Sequence, residues 1–124
     1  MCCRMRVIDA FVSCYPHRDI DVLALDRQNR LAVIDLETDT VDSLVVRGLA
    51  HCDWLQHNLP NVRRMYPGST IASSFQPRLF LVAFGFSPLA LGAARQLTHL
   101  QIHWFKYHAF EMGSATAVFF DPLT

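Results

Sequence analysis

Two aspartates in neighbouring apolar segments are the residues of this sequence best placed to do chemistry. Asp21 opens the run DVLALD, and Asp35 lies near the end of the run LAVIDLE. A carboxylate inside an apolar segment costs free energy unless it is paired or bound to a cation. The pattern therefore indicates either a divalent-cation site or two strand-end carboxylates that backbone donors or arginines satisfy.

The turn between these two segments decides whether the carboxylates converge. Side chains alternate between the two faces of a strand. A two-residue loop at 28–29 would pair position 21 with position 36 and separate the aspartates. A three-residue loop at 27–29 pairs position 21 with position 35, and it needs a positive φ at its end, which Asn29 tolerates. We predict the three-residue loop, with Asp21 opposite Asp35.

Apolar patterning predicts the elements that hold these residues. Strands are expected at 7–12, 20–26 and 31–37, followed by a helix that Asp39 or Thr40 caps and Pro60 ends. A strand at 78–84, a helix that begins at Ser87-Pro88, a strand at 99–107 and a final strand at 115–120 complete the chain. Strand, helix and strand over about 30 residues form a right-handed parallel βαβ unit. The fold class is therefore α/β, a mixed sheet with an antiparallel hairpin and a parallel βαβ unit.

Length and composition set the class of protein. The chain has 124 residues, of which 52% are hydrophobic and 18% charged, so we expect a single domain over 1–124. No apolar run approaches the roughly 20 residues that span a bilayer, and we expect neither a signal peptide nor a membrane partner. The four cysteines show no zinc or disulfide spacing, which favours a reducing cytoplasm.

The hairpin with its two acids resembles the core of the PD-(D/E)xK nuclease-like superfamily, also called restriction-endonuclease-like. In that family one Asp ends a strand, and a second acid on the next strand precedes a Lys by two residues. Asp21 matches the first acid and Asp35 the second, whereas Glu37 stands at the Lys position. The order β-β-β-α-β-α-β is also that of the family core. The family normally begins with a further helix, and we expect a core that lacks it.

The resemblance implies a divalent metal, Mg²⁺ or Mn²⁺, held by Asp21 and Asp35 and not required for folding. Glu37 cannot replace the Lys, because an ionised carboxylate has no donor and repels phosphate. Many members carry a Gln and, four residues later, a Tyr on the next helix, where this chain has Arg47 and His51 on one helix face. Arg47 either supplies the missing positive charge or forms an ion pair with Glu37 or Asp35, and we favour the ion pair.

We predict a nuclease-like domain that is catalytically impaired and that binds DNA or a partner. One alternative is an active metal-dependent DNA endonuclease with a substituted lysine, and another is a pure interaction or dimerisation module. The 11 basic and 11 acidic residues give a net charge of zero, which is unlike a broadly basic nucleic-acid surface. Since a core without the first helix leaves one sheet face open, we also predict a homodimer.

Overall fold

The protein is built on a six-stranded mixed sheet. The computed structural model describes residues 5–38, 42–72 and 76–123. The strands lie side by side in chain order: β1 (Met5–Cys14), β2 (His17–Asp26), β3 (Leu31–Leu36), β4 (Arg78–Ala83), β5 (Ile102–Met112) and β6 (Ala115–Leu123). Strand β4 runs parallel to β3 and β5, and the other neighbours are antiparallel. The predicted mixed α/β sheet is confirmed.

The β2–β3 hairpin has the predicted three-residue loop. Asp26 and Arg30 close the loop, with the Asp26 N–H donating to the Arg30 carbonyl at 3.0 Å. Asn29 adopts the expected positive φ of 61°. The strands pair in one register from Leu25 opposite Leu31 to Val22 opposite Ile34, and one further step places Asp21 opposite Asp35. The turn chemistry therefore brings both acids to one face.

Three helices connect the strands: α1 (Ser43–His57) and α2 (Leu59–Met65) lie between β3 and β4, and α3 (Pro88–Ala94) lies between β4 and β5. The predicted caps Asp39 and Thr40 lie outside the described residues. The prediction that Pro60 ends the first helix is wrong, because α1 ends at His57, with Asn58 as its C-cap, and Pro60 lies in the first turn of α2. A proline fits there since that N–H has no partner within the helix. Ser87 caps α3 as predicted, and its Oγ accepts from the Ala90 N–H at 3.1 Å.

All three helices place buried residues on one face of the sheet. Leu44, Leu55, Val62 and Ala90 from the helices join one buried cluster with residues of β2, β3 and β4, among them Leu23, Leu25, Val33, Leu79 and Leu81. None of the helices in the described ranges is long and apolar enough to cross a membrane. This helix-covered face is the side on which Asp21 and Asp35 lie, because they alternate in step with Leu23 and Val33.

The opposite face, here called the open face, is largely apolar, with the Asp26–Arg78 ion pair beside Phe80 at one end. A second buried cluster of Ala24, Ala32 and Phe80 lies there. A groove of about 380 Å³ runs over it, lined by Met5, Ile34, Leu36, Phe80, Val82, Phe105 and Phe120. Leu36 and Phe120 are 42% and 56% exposed, so apolar side chains reach solvent on this face.

Candidate functional site

Asp35 lies at the carboxyl end of β3, under α1, and is completely buried. Its Oδ2 lies 2.6 Å from Nδ1 of His51, which is also completely buried. Its Oδ1 accepts from the Asp21 backbone N–H at 3.3 Å. Both carboxylate oxygens are therefore engaged by groups of the protein itself.

His51 bridges α1 to two acceptors. While Nδ1 faces Asp35, Nε2 lies 2.5 Å from the carbonyl oxygen of Arg18. A carboxylate and a carbonyl only accept hydrogen bonds, so both ring nitrogens have to donate, as they do in the imidazolium. Burial opposes this charge, but the hydrogen bond and negative charge of Asp35, together with the Arg18 carbonyl, outweigh it and raise the pKa of His51. His51 is thus a built-in cation beside Asp35.

Asp21 is held in a similar way by Arg47 and by the backbone of β3. Its Oδ2 accepts from the Leu36 N–H at 2.9 Å and lies 3.7 Å from Nη2 of Arg47. The same Nη2 donates to the Leu36 carbonyl at 2.8 Å. The predicted ion pair of Arg47 with Glu37 or Asp35 is wrong, because Arg47 pairs with Asp21 instead. The Arg47 side chain extends over the end of β3 to Leu36, next to the Asp21 carboxylate of β2. Asp35 is already paired with His51.

Glu37 stands apart from this cluster. Its backbone N–H extends the pairing with β4 by donating to the Val82 carbonyl at 3.0 Å, and its Oε1 accepts from the Thr38 N–H at 3.1 Å. No hydrogen bond or ion pair joins its side chain to Asp21 or Asp35 within the described residues. Glu37 instead lines a separate cavity of about 410 Å³ together with Arg18, Leu36, Thr38, Val82, Tyr107, Val118 and Phe120.

The cluster does not fit a divalent metal in this arrangement. Mg²⁺ needs about six oxygen ligands in octahedral geometry and usually keeps several waters. Asp35 has no exposed surface, and a cationic ring already covers one of its oxygens. Across the described residues there is no group of three or more His, Cys, Asp or Glu side chains that could hold a metal ion. The arrangement is a polar network in which the Asp35 carboxylate is satisfied from within, while Nη1 of Arg47 is buried without a hydrogen-bond partner among the described residues.

Sequence reasoning grouped Asp21, Asp35, Arg47 and His51 but missed the pairing of His51 with Asp35. A signal was present, because His51 follows Leu44 by seven residues and precedes Leu55 by four, which is the spacing of one buried helix face. A histidine on such a face needs a buried partner. The contact of His51 with Arg18 had no signal in the sequence, because it is made by the Arg18 backbone carbonyl, which any residue provides.

The raised pKa of His51 predicts a pH dependence of stability. In the unfolded chain His51 titrates near 6.5, and in the folded protein above that value. Its contribution is therefore complete below about pH 6.5 and is lost as the pH rises through the folded-state pKa. We expect the difference in unfolding free energy between the natural protein and His51→Gln to shrink steadily from pH 6 to pH 9. Urea denaturation at each pH measures it, and a constant or growing difference would contradict the imidazolium assignment.

Comparison with known proteins places the fold. No family model matches the sequence, and no curated protein matches it. Two solved structures are similar: the EndoMS–dsDNA complex, with 14% identity and a TM-score of 0.56, and a repair endonuclease from Pyrococcus abyssi, with 16% identity and a TM-score of 0.56. Each match covers 82% of this chain but only 36% and 38% of the respective endonuclease chains. The chain thus has a nuclease-like α/β fold and spans little more than a third of the length of these two proteins.

Proposed function

We propose that this chain is a nuclease-like domain that does not cleave and that acts by binding DNA. The observation that carries the proposal is the saturation of Asp35, whose two carboxylate oxygens are engaged by His51 and by the Asp21 N–H. A phosphodiesterase of this kind needs carboxylates free to hold a metal that activates water. The position of Glu37 supports the same conclusion, because it offers no donor to a phosphate.

DNA is the ligand that the comparison favours, since one structural neighbour is a complex with double-stranded DNA. The exposed Arg18 lies at the same end of the sheet as the acids, and arginine suits phosphate contacts. The net charge of zero predicts few phosphate contacts and hence a shallow dependence of affinity on salt. We also propose a cytoplasmic setting, which the buried free thiols of Cys14 and Cys52 support.

A cleavage assay tests the loss of activity. We expect no cleavage of single- or double-stranded DNA by the natural protein in Mg²⁺ or Mn²⁺, and no change in its unfolding midpoint on adding EDTA. Glu37→Lys restores the family residue but leaves Asp35 paired with His51. We therefore expect this variant to remain inactive. Fluorescence anisotropy with labelled duplex DNA measures binding in the same samples.

The decisive contrary result is efficient Mg²⁺-dependent cleavage that Asp35→Ala abolishes. Asp35 is buried, so Asp35→Ala could lose activity by unfolding. Asp21→Asn is therefore measured as a second variant, because the Asp21 side chain is 20% exposed. Cleavage lost in both folded variants would establish the alternative, an active metal-dependent endonuclease with a substituted lysine. If the protein neither cleaves nor binds DNA, the remaining alternative is a pure interaction or dimerisation module.

The open face favours a second part of the proposal, that the domain works as a homodimer. Leu36, Val118 and Phe120 are between 42% and 56% exposed on or beside that face. Contiguous exposed apolar surface of this kind marks interaction sites.

A further inference from the structure

The two outer strands of the sheet differ in how they are protected against pairing with another chain. Strand β1 has register shifts between Val7 and Asp9 and between Val12 and Cys14. Within it, Phe11 adopts a left-handed φ of 53°. Bulges and irregular residues bend an edge strand away from a flat pairing geometry. The β1 edge is therefore unsuited to accept a further strand.

Strand β6 forms the other edge and lacks this protection. Its pairing with β5 keeps a single register from Leu123 opposite Trp104 to Ala115 opposite Met112, without a bulge. Among the described strands, β6 pairs with β5 alone. The segment 115–120 reads ATAVFF and is rich in residues that favour strands. The charge and the proline of this strand, Asp121 and Pro122, follow that segment. It offers about 20 Å of regular free edge.

The outer half of β5 and β6 also lacks support from the rest of the sheet. Strand β4 accompanies β5 only as far as Lys106, opposite Ala83. Beyond that point β5 and β6 continue as a two-stranded ribbon, and a ribbon of two strands is only marginally stable in water. Val118 and Phe120 are 51% and 56% exposed on it. A third strand along β6 would stabilise the ribbon.

We propose that this third strand is β6 of a second copy, paired antiparallel about a two-fold axis so that one sheet runs through both copies. The proposal names the interface of the homodimer proposed above and rests on it. Self-pairing places 115–120 against the same segment, and since the segment has no charge, no like charges meet. Val118 and Phe120 border cavities on the open face with Leu36 and Val82, so the contact joins the open faces of the two copies.

Sedimentation equilibrium of three proteins tests this interface. Val118→Lys puts like charges across the two-fold axis, and Val7→Lys is the matched control, because Val7 is a 61% exposed valine on the protected edge. We expect the natural protein and Val7→Lys to be dimeric with similar dissociation constants. Val118→Lys should raise the dissociation constant about a hundredfold. Equal weakening by both substitutions would overturn the assignment to β6.

A mixing experiment separates a broken interface from a misfolded variant. Val118→Lys and Val118→Glu should each be monomeric, and an equimolar mixture should recover dimers through opposite charges. A mixture that stays monomeric would contradict the proposal. Leu36→Lys changes the open face on β3, outside the paired edge. If Leu36→Lys dissociates the dimer and Val118→Lys does not, the two copies pack face to face instead. A natural protein that stays monomeric when concentrated would overturn the dimer, whereas the cleavage and DNA-binding results would still stand.

Discussion

His51→Ala is expected to lower the free energy of unfolding by about 3–5 kcal/mol, the usual cost of leaving one half of a buried ion pair without its partner. The substitution removes the donor 2.6 Å from Asp35 Oδ2 and also the donor to the Arg18 carbonyl. Asp35 has no exposed surface through which water could replace the imidazole. Urea denaturation near pH 6.5, where the pair is formed, measures the loss.

The same helix provides a control for this prediction. His57 pairs with Asp53 at 3.4 Å, but the two side chains are 73% and 68% exposed. Exposed pairs contribute little, so His57→Ala should change stability by less than about 0.5 kcal/mol. The double variant Asp35→Leu/His51→Leu should regain much of the loss, because apolar groups can replace a buried pair at little cost. Similar small losses for His51→Ala and His57→Ala would contradict the role given to the buried pair.

Gly48→Val is expected to lower the free energy of unfolding by about 2–3 kcal/mol through overpacking. A Cβ at Gly48 would lie 2.8 Å from Leu79 Cδ1 and 2.9 Å from Leu81 Cδ2, inside the buried core. Gly48 therefore allows α1 to lie close to β4. Because Arg47 and His51 flank this residue on α1, pushing the helix outward would also lengthen the contacts to Leu36 and Asp35.

Gly92 in α3 is the matched control for Gly48. The nearest atom within 4 Å of a Cβ there is Nη2 of Arg95, at 3.7 Å. Gly92→Val should therefore keep stability within about 1 kcal/mol of the natural protein, since valine is a slightly better helix residue than glycine. The chemical shift of the His51 ring protons gives an independent readout of the displaced helix. An unchanged His51 signal in a stable Gly48→Val variant would contradict the close-approach argument.

The sequence by itself determined the parts of this protein that local chemistry specifies. Apolar runs located the strands, and Asn29 in a three-residue loop set the hairpin register that makes Asp21 and Asp35 converge. Ser87 next to a proline located the start of α3. Each of these features depends on residues close together in the chain, so their types are enough to predict it. Pro60 was placed incorrectly because a proline either follows a helix or begins one, and its immediate neighbours fit both.

Only the tertiary structure decided what the acids do. Whether Asp35 meets a cation from solvent or the ring of His51 depends on how closely α1 approaches the sheet, and Gly48 permits that approach only where Leu79 and Leu81 lie beneath it. The contact of Arg47 with Leu36 and that of His51 with the Arg18 carbonyl join residues that are 11 and 33 positions apart in the sequence. Such contacts form only when the helix packs on the sheet, so the types and spacing of neighbouring residues do not predict them. The same carboxylates that look like metal ligands in the sequence therefore become, in the fold, partners of built-in cations.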